Sequence, residues 1–335
     1  MVEMPNRTER TATSIANANI AFVKYWGNRD NALRIPSNGS ISMNLSGLYS
    51  HTQVTFDPAL DRDRLSLGGK EVAGAALARA CTLLDQVRNL AGLRAHAQII
   101  SYNNFPTGTG IASSASGFAA LTLAASRAAG LNLAEAELSR LARLASGSAC
   151  RSIPGGFVEW RAGHDHASSY AFSIAPPEHW DLRDCIAVTS LAHKPTTSQE
   201  GHALADTSPL QAARVSSAES RLQVCREAIL TRDFDALAQV VELDSNLMHA
   251  VMMTSTPILM YWLPATVLVM RAVQEWRRGG VPVCFTIDAG PNVHVLCPAS
   301  EAEAVIQRLN QLDGVIQVLS APPGGPARIV ASGLE

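Results

Sequence analysis

Lysine is almost missing from this chain. Of 27 Lys and Arg residues only Lys24, Lys70 and Lys194 are lysines, so arginine is the default cation and a lysine kept at position 24 asks for a reason. A compact, strongly hydrated ammonium suits a single phosphate oxygen or a crowded site, whereas a guanidinium prefers a bidentate fork; the plain alternative is an incidental lysine at a strand end. Long apolar runs are missing too: no uninterrupted stretch of about 18 apolar residues occurs, and the N-terminus lacks the apolar segment of a signal peptide. A soluble, cytoplasmic protein with no membrane partner is expected. No basic run interleaved with aromatics is present, and 27 Lys+Arg against 29 Asp+Glu leaves a net charge of −2, which argues against a nucleic-acid partner. The six cysteines are scattered, with no C-x-x-C pair and no histidine at zinc-ligand spacing, so reduced thiols are expected. His164 and His166 have no third ligand in sequence and read as solvated.

What the chain does have is the loop Asn104-Phe-Pro106-Thr-Gly108-Thr109-Gly110-Ile-Ala-Ser113-Ser114-Ala-Ser-Gly117, which runs into an Ala-rich stretch ending at Ala129. Glycines and hydroxyl side chains ahead of a helix expose backbone N–H groups and the positive end of a helix dipole, a combination that cradles phosphate. Ser and Thr also cap ordinary helices, so the loop alone leaves both readings open. No Gly-Lys-Ser/Thr follows the second glycine, which excludes a Walker A loop. The missing third glycine on the helix argues against a dinucleotide fingerprint.

Periodicity predicts strands over 13–24 and within 41–56, a helix over 74–91, and a strand over 95–101 that delivers the chain into the loop. A helix over 135–145 and a strand over 157–160 follow. Beyond 208 come helices over 209–230, 234–248 and 264–278, strands over 283–287 and 293–297, and a last helix over 301–312. With 47% hydrophobic residues the chain can bury two packed lobes, 1–187 and 188–335. Helices and strands segregated by region argue α+β.

The loop resembles the Pro-x-x-x-Gly-Leu-x-Ser-Ser-Ala signature of the GHMP kinase superfamily, with Ile111 in the Leu place. Three further segments occur in the same order along the chain: Asn19-Ile-Ala-Phe-Val-Lys24-Tyr25-Trp26-Gly27, Ser146-Gly-Ser148-Ala-Cys-Arg151-Ser152 and Phe285-Thr-Ile-Asp288-Ala-Gly-Pro-Asn292. Together they resemble the mevalonate diphosphate decarboxylase family. The resemblance implies a two-lobed GHMP kinase fold with its active site in the cleft, and a substrate carrying a carboxylate, a tertiary hydroxyl and a phosphorylated end. ATP with Mg²⁺ would phosphorylate the hydroxyl; phosphate would then leave and CO2 be lost, giving an alkene for isoprenoid synthesis. The ATP phosphates fall to Pro106, Gly108, Thr109, Gly110, Ser113 and Ser114, with Ser113 near the transferring phosphoryl and Ser114 near the metal. Arg151 becomes the carboxylate-binding arginine, a task its planar fork suits, and Asp288 the catalytic aspartate. Tyr25, Ser146 and Ser148 become contacts to the phosphorylated end, and Asn19 an anchor beside Lys24. Whether Asp288 takes the hydroxyl proton or orients it stays open.

The departures from the family pattern bear on the substrate. Members that take the diphosphate commonly read Lys-Tyr-Trp-Gly-Lys, whereas Asn28 stands last here. Residues 194–201 lack the arginine that some bacterial diphosphate users carry, presenting Ser198, Gln199 and Glu200, and Met260-Tyr261-Trp262-Leu263-Pro264 is similar to archaeal phosphomevalonate decarboxylases. These features imply mevalonate 5-phosphate as substrate and isopentenyl phosphate as product, with the diphosphate pair as the alternative and Arg29 as the candidate substitute cation. A GHMP kinase that stops after phosphoryl transfer is a more distant alternative. A sensor on a decayed scaffold would have lost one of Lys24, Arg151 and Asp288, and all three are present. The expected partner is a small-molecule substrate; a homodimer is left open.

Overall fold

A computed structural model describes residues 10–105, 113–192 and 196–331. Of the expected phosphate cradle, Pro106, Gly108, Thr109 and Gly110 lie outside the described residues, as does Lys194. The first long strand, Arg10–Val23, pairs antiparallel with Ser40–Asp57 along nearly its whole length. Its small residues let a helix lie close: Ala16 packs with Ala119 and Ala120 of the helix Ser113–Ala128, and the Ser14 hydroxyl donates to the Ala120 carbonyl at 2.6 Å. Around this pair grows an eight-stranded sheet in the order Arg328–Val330, Arg10–Val23, Ser40–Asp57, His96–Asn103, Arg64–Leu67, Lys70–Glu71. Phe157–Arg161 and Tyr170–Ala175 are added on the first half of Ser40–Asp57. The strands expected within 41–56 are thus one continuous strand, whose register shifts against Asn17 and Ala18.

A second, antiparallel sheet has the order Cys284–Thr286, Val293–Pro298, Leu182–Val188, Gln317–Ala321. The architecture is α+β. The division expected at 187/188 falls inside Leu182–Val188, a strand of the second sheet, while Arg328–Val330 returns to the first. Between the sheets lies one shared core. Ile20, Phe22, Met43 and Phe157 of the first meet Ile186, Val188 and Leu296 of the second, with Leu222, Ile229, Leu237 and Val241 from the helices Ala218–Thr231 and Phe234–Met253. The helices Pro264–Arg278 and Ala302–Asn310 cover the second sheet through Val269, Val273, Val305 and Leu309. Among the described residues no helix is long and apolar enough to cross a membrane.

The helix expected over 209–230 is broken into Gln211–Ser216 and Ala218–Thr231. At the break the Ser217 hydroxyl turns back onto the Ala213 carbonyl at 2.9 Å and accepts from Arg221 Nη1 at 2.7 Å, while Arg221 Nη2 takes the Arg214 carbonyl at 2.8 Å. A serine competing for helix carbonyls is a known source of such breaks.

Gly156 marks where the sheet tolerates nothing larger. Its φ of 77° lies in the left-handed region, its carbonyl accepts from the Asn44 amide at 3.0 Å, and a Cβ would fall 2.3 Å from the Ala175 carbonyl oxygen. Gly156→Ala is expected to destabilise the protein by about 2–4 kcal/mol through backbone strain and overpacking. Urea unfolding checks this; an unmoved midpoint would contradict it.

Candidate active site

The strand Arg10–Val23 delivers Lys24 into the interior, where it is only 1% exposed. Its backbone is clamped on both sides: the amide donates to Asp244 Oδ2 at 2.6 Å, and the carbonyl accepts from Arg214 Nη2 at 2.8 Å and Asn38 Nδ2 at 3.0 Å. Asp244, buried in the helix Phe234–Met253, is itself paired with Arg221 Nε at 2.6 Å. The helix break thus aims both arginines at the Asp244 carboxylate, and Arg214 at the Lys24 carbonyl as well. With its backbone fixed, the Lys24 ammonium donates to Asp288 Oδ1 at 2.6 Å.

Asp288 follows the strand Cys284–Thr286, its side chain 26% exposed. Burial pushes its carboxyl up, but the Lys24 ammonium, His294 and Arg151 outweigh this and hold it below the ordinary value of 3.8. Burial pushes Lys24 down, with Asp288 opposing. His249, whose ring nitrogen meets the Ile287 carbonyl at 3.3 Å, is driven by burial and by Lys24 down to about 4 and is neutral at physiological pH.

Arg151 is carried on a short 3-10 helix, Gly147–Ser152, which follows the helix Glu135–Ala145. Its Nη1 donates to Ser40 Oγ at 2.7 Å and its Nη2 to Asn19 Oδ1 at 3.2 Å, and Asn19 Nδ2 reaches Ser152 Oγ at 2.8 Å. Burial pushes the guanidinium down from its ordinary value. Gly147 is required here by close approach: a Cβ would lie 2.5 Å from the Tyr25 ring. The Tyr25 ring stacks on His202 at 4.0 Å and its hydroxyl donates to Asn28 Oδ1 at 2.6 Å; burial raises the phenol well above its ordinary value, so it remains a donor.

Asn19, Lys24, Tyr25, Arg151, His202 and Asp288 line one cavity of about 270 Å³. Of the residues singled out in the sequence, it brings together Asn19, Lys24, Tyr25, Ser113, Ser114, Ser146, Ser148, Arg151 and Asp288. Ser198 and Gln199 of the segment 194–201 also line it, and Arg34, Arg79 and His202, which the motifs did not signal, share its wall. A second cavity of about 380 Å³, lined by Leu65, Ile99, Phe118 and Leu121 among others, shares Arg79, Ser113 and Ser114 with the first. The two therefore meet at the start of the helix Ser113–Ala128, where unpaired N–H groups favour an anion. Among the described residues no group of three His, Cys, Asp or Glu side chains could hold a metal ion. Magnesium would fit only with phosphate oxygens completing its shell around a hydroxyl such as Ser114, its usual manner of binding beside nucleotides.

Residues 16–171 match the family model described as diphosphomevalonate decarboxylase-like N-terminal domain, and residues 185–319 that of the mevalonate 5-diphosphate decarboxylase C-terminal domain. The diphosphomevalonate decarboxylase of Homo sapiens is 36% identical over 352 residues, covering 96% of this chain and 84% of the relative. The chain belongs to the diphosphomevalonate decarboxylase family. That of Ganoderma lucidum is 37% identical over 88% of this chain and 80% of its own. Among solved structures, the mevalonate diphosphate decarboxylase of Staphylococcus aureus superposes with a TM-score of 0.90 at 37% identity, over 97% of this chain and 99% of that one. The structure of MDDEF in complex with MVAPP, AMPPCP and magnesium gives a TM-score of 0.91 at 35% identity, over 97% of this chain and 100% of that one.

The monophosphate expectation drawn from Asn28 gains no support from these relatives, each named for the diphosphate. Asn28 is engaged locally, accepting from the Tyr25 hydroxyl at 2.6 Å and donating to Asn31 at 3.0 Å. Arg29, the candidate substitute cation, is not among the described residues that line the cavity. Its Nε donates to the Pro36 carbonyl at 3.1 Å and its Nη2 to that of Gly163, away from the cavity wall.

Removing the Lys24 charge should invert the Asp288 balance. In Lys24→Met burial is left as the largest influence and the carboxyl rises, so that protonation on acidification begins at higher pH than in the parent. Carbon-detected NMR titration of Asp288 reads this directly; a carboxyl that still titrates below the ordinary range would show that Lys24 does not hold it down.

Proposed function

We propose that this chain is an ATP-dependent decarboxylase of mevalonate 5-diphosphate, giving isopentenyl diphosphate, ADP, phosphate and CO2. The observation that carries the reading is the meeting of two cavities at Ser113 and Ser114, one largely apolar and one holding Lys24, Asp288 and Arg151. A flat base with its ribose fits the apolar cavity, its phosphates run past the helix start, and an acid with a phosphorylated end fits the cationic one. Magnesium-bound ATP supplies the phosphoryl group. The protein's own part is positioning and charge neutralisation, which dominate phosphoryl transfer.

Arg151 binds the substrate carboxylate, with Asn19 and Ser40 fixing its plane. Ser146, Ser148 and Tyr25 lie on the same wall and contact the phosphorylated end. Asp288 faces the tertiary hydroxyl. A general base works best with a pKa near the working pH, and a carboxylate held low by an ammonium at 2.6 Å is a weak one. This favours Asp288 as the group that orients the hydroxyl and sets negative charge beside the carbon that becomes electron-poor as phosphate departs. The electrons released with CO2 then form the alkene.

With Mg²⁺ and mevalonate 5-diphosphate, the purified protein is expected to release CO2 and ADP one for one, with a higher kcat/KM than for the 5-phosphate. ADP without CO2 would identify a kinase instead, and a preference for the 5-phosphate would overturn the substrate assignment. Asp288→Ala is expected to lower kcat by about 10²–10⁴-fold, while Asp288→Asn, whose amide oxygen still accepts a hydrogen bond, retains more. Equal losses in the two variants would favour a base over an orienting group.

A further inference from the structure

Among the described residues four cationic side chains, Lys24, Arg34, Arg79 and Arg151, line the first cavity against a single carboxylate, Asp288. Lys24 is matched by Asp288, and Arg151 is held by Ser40 and Asn19. Arg34 and Arg79 have only neutral partners among the described residues. Arg34 Nε donates to the Leu144 carbonyl at 2.9 Å and its Nη2 to Gln199 Oε1 at 3.4 Å. Arg79 donates twice to the Ala145 carbonyl, at 2.8 and 3.2 Å, and lies over the Phe118 ring at 4.5 Å.

The two arginines thus hang from consecutive carbonyls at the C-terminal end of the helix Glu135–Ala145, where the helix dipole favours positive charge. That end stabilises two half-buried like charges that otherwise repel, and Ser146 follows at once. Arg34 reaches this place from the two-stranded hairpin Asn28–Asp30 with Ile35–Pro36, its backbone in the left-handed region at φ 50°. Its Nη1 has no partner among the described residues. Asn28, on the first strand of the same hairpin, has its amide oxygen engaged by the Tyr25 hydroxyl.

We propose that Arg34 holds the terminal phosphate of the substrate's diphosphate, so that the hairpin supplies from its turn, just before Ile35–Pro36, the cation that Asn28 does not. The inference rests on the diphosphate reading above. A guanidinium fixed at Nε keeps both terminal nitrogens on one edge for two phosphate oxygens. Arg79, shared with the second cavity, stands closer to the nucleotide and is not assigned this role.

The test compares full-length wild type and Arg34→Gln on mevalonate 5-diphosphate and 5-phosphate at one ionic strength, since phosphate contacts are salt-screened. Loss of a charge-assisted contact is expected to raise KM for the diphosphate about 10- to 100-fold, with a much smaller change in kcat and in the KM for the monophosphate. Adding Asn28→Lys to Arg34→Gln should recover much of the diphosphate affinity. An unchanged diphosphate KM, or an equal rise for both substrates, would overturn the assignment. If Arg34→Gln does not fold, Arg34→Lys carries the test: it keeps the charge and loses the fork, and must weaken the diphosphate more than the monophosphate. A wild type that fails to decarboxylate the diphosphate sinks the functional reading itself, whatever the Arg34 variants do.

Discussion

A buried ammonium is costly unless it is paired and its surroundings are fixed, and the arrangement around Lys24 meets both conditions. Its amide and carbonyl are tied to Asp244, Arg214 and Asn38, and its charge faces Asp288. These partners come from four places: a long helix, a broken one, the connection between the first two long strands and the end of a strand in the second sheet. Shifting Asp244, Arg214 or Asp288 would leave a charge poorly paired inside, and shifting Asn38 would cost the Lys24 carbonyl one of its two donors. The requirement that Lys24 be satisfied therefore fixes how the sheets meet, and with it the cavity. The near absence of lysine elsewhere in the chain becomes intelligible: arginines do the structural pairing, while Lys24, buried among the described residues, supplies a compact point charge in a crowded place.

Much of the fold and the heart of the site could be read from the residues. The helices Glu135–Ala145 and Pro264–Arg278 stand where periodicity put them, because each carries a clear apolar stripe. The short strands Arg64–Leu67 and Lys70–Glu71 gave no signal, being largely exposed and stabilised by pairing rather than by pattern. At the site, Lys24, Arg151 and Asp288 lie in contiguous motifs, so local sequence carried them. Asp244 and Arg214 hold the Lys24 backbone from about two hundred residues away, with Arg221 behind them on Asp244, and nothing local distinguishes them from ordinary helix residues. Arg34 and Arg79 were hidden for a different reason: in a chain whose default cation is arginine, no single arginine stands out until the cavity gathers it. The monophosphate reading, drawn from Asn28, from the arginine missing in 194–201 and from 260–264, gains no support from the relatives, and charge is a property of the whole wall.

The cysteines illustrate the same division between pattern and context. Cys150, Cys225 and Cys284 are fully buried, with burial raising each thiol above its ordinary value. They behave as small apolar residues that fill the core, as their scattered spacing suggests, and none lines either cavity.

The return of Arg328–Val330 to the edge of Arg10–Val23, where Val330 pairs with Thr13, has a consequence in polymer terms. The second sheet and its helices form a loop whose two ends are anchored in the first sheet, so most of the entropy of joining the lobes is the cost of closing one long loop, which grows only slowly with its length. Such a loop cannot dissociate as a separate body. The two walls of the cavity are tethered at both sides, and the lobes are expected to melt as one cooperative unit.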